Sequence, residues 1–250
     1  MDIPIDSPLV IVQMGEPPAA VAAEVGKQYQ WFVSKLGLQM REFILIRPYR
    51  GDALPDPGNL SAVIITGSWS MVTDHAPWSE MTAVWVREIH QRAIPLLGVC
   101  YGHQLIAYAL GGTVADNPHG WEGGLQQVQM IGQEEADPLF FGLPRQFTAW
   151  LSHRQTVVCP PAQARVLACS SQDACQILRY GPYAYSLQFH PEFNQALMVS
   201  CLRHSRHPGA RERLPAVSAA AEPEWPALIL RRFQDVWRHR GRTLEAGDAA

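Results

Sequence analysis

The chain has 250 residues, 47% of them hydrophobic and 17% charged, enough for one sizeable α/β domain with a buried core. A net charge of −3, with no basic run long enough to follow a phosphate backbone, argues against direct nucleic-acid binding. No apolar stretch approaches the ~20 residues that span a bilayer, and the first residues lack the basic-then-apolar pattern of a secretory leader.

In chain order, residues 9–14 read as a first strand, an apolar run that stops at Gly15. Apolar residues at helical spacing (Val21, Val25, Tyr29, Phe32, Val33, Leu36) predict one helix over 19–36, closed by Gly37. Residues 42–47 form a second strand, 48–58 a turn-rich connection, and 60–66 a third strand leading into Thr66-Gly67-Ser68-Trp69-Ser70. A helix over 77–92 starts with a proline, 94–99 is a fourth strand, and 101–110 is a helix closed by Gly111-Gly112. Strands and helices in alternation imply βαβ units, hence a three-layer α/β fold with a mostly parallel open sheet and helices on both faces. Ligands then sit at the carboxyl ends of the strands, so the loops after Thr66 and Val99 should face one pocket.

From 113 to 189 the pattern changes to short strands (125–131, 146–151, 166–169, 176–180 and 183–189), a smaller antiparallel segment with a hairpin turn at Gly181-Pro182. Residues 191–203 read as a helix, 205–223 as a solvated Arg-, Ala- and Pro-rich linker, and 225–238 as an amphipathic helix. A flexible tail over 241–250 follows, so the organisation is a domain over 1–204, a linker over 205–223, and a helix with its tail over 224–250. Five cysteines form no CxxC pair, which fits a reduced cytoplasmic protein with neither a disulfide framework nor a zinc knuckle. Cys159, Cys169, Cys175 and Cys201 read as core fillers.

The fifth, Cys100, stands apart. The apolar run ends in Gly98-Val99-Cys100-Tyr101-Gly102 and passes directly into a helix, the pattern of a nucleophile elbow. A thiol at a helix N-terminus is placed where negative charge is favoured. Its base is expected in Gln188-Phe189-His190-Pro191-Glu192: His190 ends a strand, and Glu192 follows closely enough to orient the imidazole.

These two motifs resemble those of the class I glutamine amidotransferases, nearest to the amidotransferase part of GMP synthetases, over residues 9–203. Ile65-Thr66-Gly67-Ser68 is similar to the family's oxyanion loop. The resemblance implies a flavodoxin-like α/β fold and a catalytic set of Cys100, His190 and Glu192. It implies an oxyanion hole from the N–H groups of Tyr101 and of Gly67 or Ser68. Gln104, Gly124 and His153 match positions near the substrate. The chemistry implied is attack on a γ-glutamyl amide, release of ammonia and hydrolysis of a glutamyl thioester, with no metal or organic cofactor. Three uses of that chemistry stay open: a glutaminase feeding a separate ammonia-accepting synthetase, a stand-alone γ-glutamyl peptidase, or a silent binding module of the same fold. The partners expected are glutamine or another γ-glutamyl small molecule, with neither nucleic acid nor membrane.

Overall fold

A computed structural model of the chain describes residues 8–132 and 137–247. Strands β1 (Leu9–Val12), β2 (Phe43–Ile46), β3 (Ala62–Ile65) and β4 (Leu96–Val99) alternate with helices α1 (Ala19–Val25), α2 (Gln28–Leu36) and α3 (Pro77–Gln91). Helix α4 (Tyr101–Ala109) follows β4 with only Cys100 between them. β1, β3 and β4 are buried at every residue. A strand covered on both faces has no polar side, which is why these segments read as unbroken Val, Ile and Leu runs. Leu9, Ile11, Ala62, Ile64 and Leu97 point into one core with Phe32 and Leu36 of α2. Val10, Val12, Val63, Ile65 and Leu96 point into the other with Val86 and Ile89 of α3 and Leu105 and Ile106 of α4.

The rest of the sheet is built from β6 (Glu122–Met130), β7 (Gln146–His153), β9 (Arg165–Cys169), β10 (Ile177–Arg179) and β11 (Ala184–Leu187). Among the described residues the nine strands run in the order β2-β1-β3-β4-β11-β10-β9-β6-β7. The ladders from β2 to β11 are parallel, and those from β11 to β7 antiparallel. The antiparallel segment is therefore an extension of the parallel sheet, joined to it through the β10–β11 hairpin at Gly181-Pro182. Two strands that the sequence pattern misses, β5 (Thr113–Asp116) and β8 (Gln155–Cys159), pair in a small separate sheet.

Several expectations need correction. The helix over 19–36 is two helices, because Gly26 takes φ 79 and ψ −168, a conformation open to glycine and closed to L side chains. Residues 205–223 are not a linker: a 3-10 segment (Pro208–Arg213) and α6 (Leu214–Ala219) bury Ala210 and Val217 against Trp150, Phe193 and Leu197. Few apolar side chains are needed for that docking, so the composition hides it. Helix α5 (Gln195–Arg203) precedes this segment, capped by the side chain of Asn194. Helix α7 (Glu224–Gly247) runs nine residues beyond the expected stop at 238, so 241–247 is helix; 248–250 lie outside the described residues. Ile229, Leu230, Phe233 and Trp237 of α7 complete the first core. Cys159 is exposed and so fills no core. No described helix is long and apolar enough to cross a membrane.

Candidate active site

Cys100 sits between β4 and α4 with φ 52 and ψ −102, a strained conformation for a residue with a side chain. The strain is held from several sides. The Cys100 N–H donates to Leu187 O of β11 at 2.8 Å, and the flanking glycines let the turn close. A Cβ at Gly98 would stand 2.5 Å from Gly102 O, and one at Gly102 would collide with Ile65 O on β3. The thiol is thereby fixed at the helix N-terminus, with Sγ 3.9 Å from Ser152 O of β7.

His190 follows the end of β11 and donates its backbone N–H to Trp150 O at 2.9 Å. Its Nδ1 lies 2.8 Å from Glu192 Oε1, both side chains are almost fully buried, and the ring stacks on Phe193 at 4.1 Å. Burial by itself would lower the imidazole pKa. The charge of Glu192, then the charge and hydrogen bond of Cys100, outweigh it and push the value up to about 10. These two neighbours therefore favour the protonated form of His190.

Gly67 closes the third side. A Cβ there would lie 3.2 Å from His190 Cε1, 3.3 Å from Gln28 Nε2 and 3.4 Å from Cys100 Cβ, so a methyl would make these neighbours give by a few tenths of an ångström. The two loops expected to face one pocket come together, Gly67 against Cys100. Ser68 turns its hydroxyl toward β1, donating to Met14 O at 2.9 Å and accepting from the Ser70 N–H at 3.0 Å. Tyr101 is pinned by its hydroxyl on Ser79 Oγ (2.6 Å) and by stacking on Trp78. Among the described residues no backbone carbonyl takes up the N–H of Gly67, Ser68 or Tyr101, which leaves these donors available to an oxyanion.

The other expected substrate contacts have partners or close neighbours within the protein. Gln104 donates its amide to Gln155 O (2.7 Å) and Gln188 Oε1 (2.9 Å) within the protein. His153 is buried, with Nδ1 at 2.8 Å from Gln155 O and Nε2 at 2.8 Å from Glu122 Oε2, so both ring nitrogens are engaged. His103 packs against the sheet, Nδ1 on Ser186 Oγ at 2.7 Å, its pKa lowered to about 4 by burial. Gly124 has φ 80 and lies under Arg213 and Val217. Sequence reasoning missed Gln28, Phe193 and Arg213. Arg213 donates to Gly123 O and covers the Trp121 ring, which stacks on His207. Only Phe193 had a signal, its place next to the His-Pro-Glu motif. A cavity of about 480 Å³, lined by Trp31, Lys35, Glu192 and Asn194 among others, lies on the α2–α5 side of Glu192 and does not include the thiol.

Comparisons with known proteins identify the family and the fold. The family described as Glutamine amidotransferase class-I matches residues 21–201. A GMP synthase (glutamine-hydrolyzing) subunit from Ignicoccus hospitalis is 32% identical over 172 residues, covering 67% of this chain and 85% of that protein. The protein of the same name in Saccharolobus solfataricus is 35% identical over 133 residues, covering 52% and 66%. The GMP synthase of Aeropyrum pernix is 29% identical over 180 residues, 70% of this chain, and the match spans only 33% of that longer protein. Among solved structures, a glutamine amido transferase from Methylobacillus flagellatus shares the fold, with a TM-score of 0.70 over 92% of this chain and 94% of that one at 22% identity.

Proposed function

The chain belongs to the class I glutamine amidotransferase family, and on that premise we propose that it cleaves a γ-glutamyl amide and releases ammonia through a thioester on Cys100. One observation carries the reading: Cys100, His190 and Gly67 meet at the ends of three neighbouring strands, with Glu192 holding a proton on His190. The proton of the Cys100 thiol rests on His190, and the sulfur attacks the amide carbon, its electron pair forming the C–S bond while the carbonyl oxygen takes the negative charge. The N–H groups of Tyr101 and Gly67 stabilise that oxyanion, each donor contributing about 3 kcal/mol. Gly67 is the better of the two loop candidates, because its Cα faces Cys100 and His190. As the C–N bond breaks, His190 passes its proton to the nitrogen, which leaves as ammonia. His190 then takes a proton from water, whose oxygen attacks the thioester; the C–S bond breaks, glutamate departs, and the sulfur and the protonated His190 are back in their starting pair.

We assign glutamine as substrate and a separate ammonia-accepting synthetase as partner, since two relatives that this chain covers to 85% and 66% of their own length are named as one subunit of a GMP synthase. Unpaired cysteines fit a reducing, cytoplasmic setting. The test is ammonia release from glutamine by the purified chain, beside a panel of γ-glutamyl peptides, with Cys100→Ala as control. Glutamine turnover that needs Cys100 is expected. Strong peptide turnover with negligible glutamine turnover would replace the glutaminase reading by a γ-glutamyl peptidase. No adduct on Cys100 after a glutamine-site affinity label would leave a silent binding module.

A further inference from the structure

Behind the thiol lies a second cluster that the proposed chemistry does not use. Glu122 at the start of β6, His153 at the end of β7 and Asp173 between β9 and β10 have side chains exposed by only 0%, 1% and 1%. Each brings one ligand atom to within 4.8 Å of the other two. The orientation of the histidine is decided by its neighbour: Gln155 O only accepts, so His153 Nδ1, 2.8 Å away, carries a proton. Nε2 is then presented to Glu122 Oε2 at 2.8 Å and Asp173 Oδ2 at 3.9 Å. A backbone carbonyl on the far nitrogen is the usual support of a metal-ligating imidazole.

What surrounds the cluster points the same way. Glu122 Oε1, Asp173 Oδ2 and Gln176 Oε1 are buried acceptors that meet no donor among the described residues. Gln176 is wholly buried and donates its Nε2 to Glu122 Oε2 at 3.0 Å, which leaves Oε1 as the orphan. Neither carboxylate has a Lys or Arg partner among the described ion pairs. Two buried carboxylates sharing one imidazole leave a negative charge uncompensated even when the ring is protonated, and buried charges persist when paired or bound to a metal.

We propose that this cluster is a closed divalent-cation site, taking zinc or a similar transition metal through His153 Nε2, Glu122, Asp173 and Gln176 Oε1. One nitrogen and three oxygens from four positions suit such an ion. Ligands at about 2.1 Å stand about 3.4 Å apart in a tetrahedron, so the Glu122–His153 contact opens and the Asp173–His153 contact closes by about half an ångström each. The ion is structural. It ties β6 and β7 to the β9–β10 turn beside Ser152, whose carbonyl faces the thiol and which pairs with Gly123.

Elemental analysis of the chain purified without chelator from zinc-supplemented culture should find one equivalent of metal, falling to background in Asp173→Asn. In a cobalt(II)-loaded sample, the visible bands of a four-coordinate nitrogen and oxygen site should appear without the near-ultraviolet band of a cobalt–thiolate bond. The readouts do not depend on amidase activity. A metal-free wild type that takes up neither zinc nor cobalt overturns the site in favour of an imidazolium shared by two carboxylates. Equal uptake by Asp173→Asn, or a thiolate band, places the ion elsewhere and also overturns it. Should Asp173→Asn fail to fold, the wild-type cobalt spectrum and a Gln176→Glu variant, which keeps four ligands and should retain the metal, decide the matter.

Discussion

Gly98 and Gly102 show how few atoms separate a working elbow from a broken one. A methyl group at Gly98 would press on Gly102 O at 2.5 Å and Ile106 Cδ1 at 2.6 Å, and one at Gly102 would enter the carbonyl of Ile65. Gly98→Ala should therefore destabilise the fold by about 1–3 kcal/mol, and Gly102→Ala by more, since its methyl would come closer still to a backbone carbonyl. Urea unfolding of both variants checks the order, and the iodoacetamide labelling rate of Cys100 reports whether the turn has moved. His190 carries a pH dependence of definite sign. Its folded pKa is about 10, against ~6.5 in an unfolded chain, so its protonation stabilises the fold fully below pH ~6.5. That contribution is lost as the pH rises through 10. The stability advantage of the wild type over His190→Gln should shrink steadily between those limits in urea titrations; an advantage that grows with pH would show that the imidazole is neutral in the fold.

At the scale of elements, local pattern was legible wherever a segment's own residues decide its fate. β1, β3 and β4 are unbroken apolar runs because both faces are covered, and α3 begins at a proline, whose missing N–H costs the first turn nothing. What was not legible depends on distant partners. β5 and β8 are short, half-exposed strands whose identity lies in their pairing, and α6 holds its place through one buried valine. The same division runs through the candidate site: Cys100, His190 and Glu192 stand in contiguous motifs, whereas Gln28 reaches Gly67 only through folding. α7 shows both sides. Its apolar stripe was readable, but its role as a wall of the first core was not. Phe233 is 1% exposed in that core, and Trp237 Nε1 reaches across to Ser61 Oγ at 2.6 Å. Phe233→Ala should therefore lower stability by about 3–5 kcal/mol, as for other buried aromatics, which denaturant unfolding measures directly. A loss below about 1 kcal/mol would mean that α7 is a detachable appendage.

For the whole molecule, the decisive feature is the position of β11. It is the last strand in the chain, yet it lies between β4 and β10, so the parallel half is finished only after the antiparallel half exists. Contacts of such long sequence separation carry their loop-closure cost before they return any stability, which makes slow, cooperative folding the expectation. The first core enforces it. Leu9, Ile11 and Ile64 share one cluster with Val128, Phe147, Leu167 and Ile177, so neither half can open without exposing the other. The candidate site straddles the same seam: Cys100 and Gly67 come from the parallel half, Ser152 from β7 and His190 from beyond β11. Unfolding in urea should accordingly give coincident transitions by far-ultraviolet circular dichroism, tryptophan fluorescence and the alkylation rate of Cys100. The tryptophans sample both halves, Trp31 and Trp85 on one side and Trp121 and Trp150 on the other. A fluorescence transition that precedes loss of helix signal would reveal an antiparallel half able to melt alone, and with it a site that loses its histidine while the thiol stays on its turn.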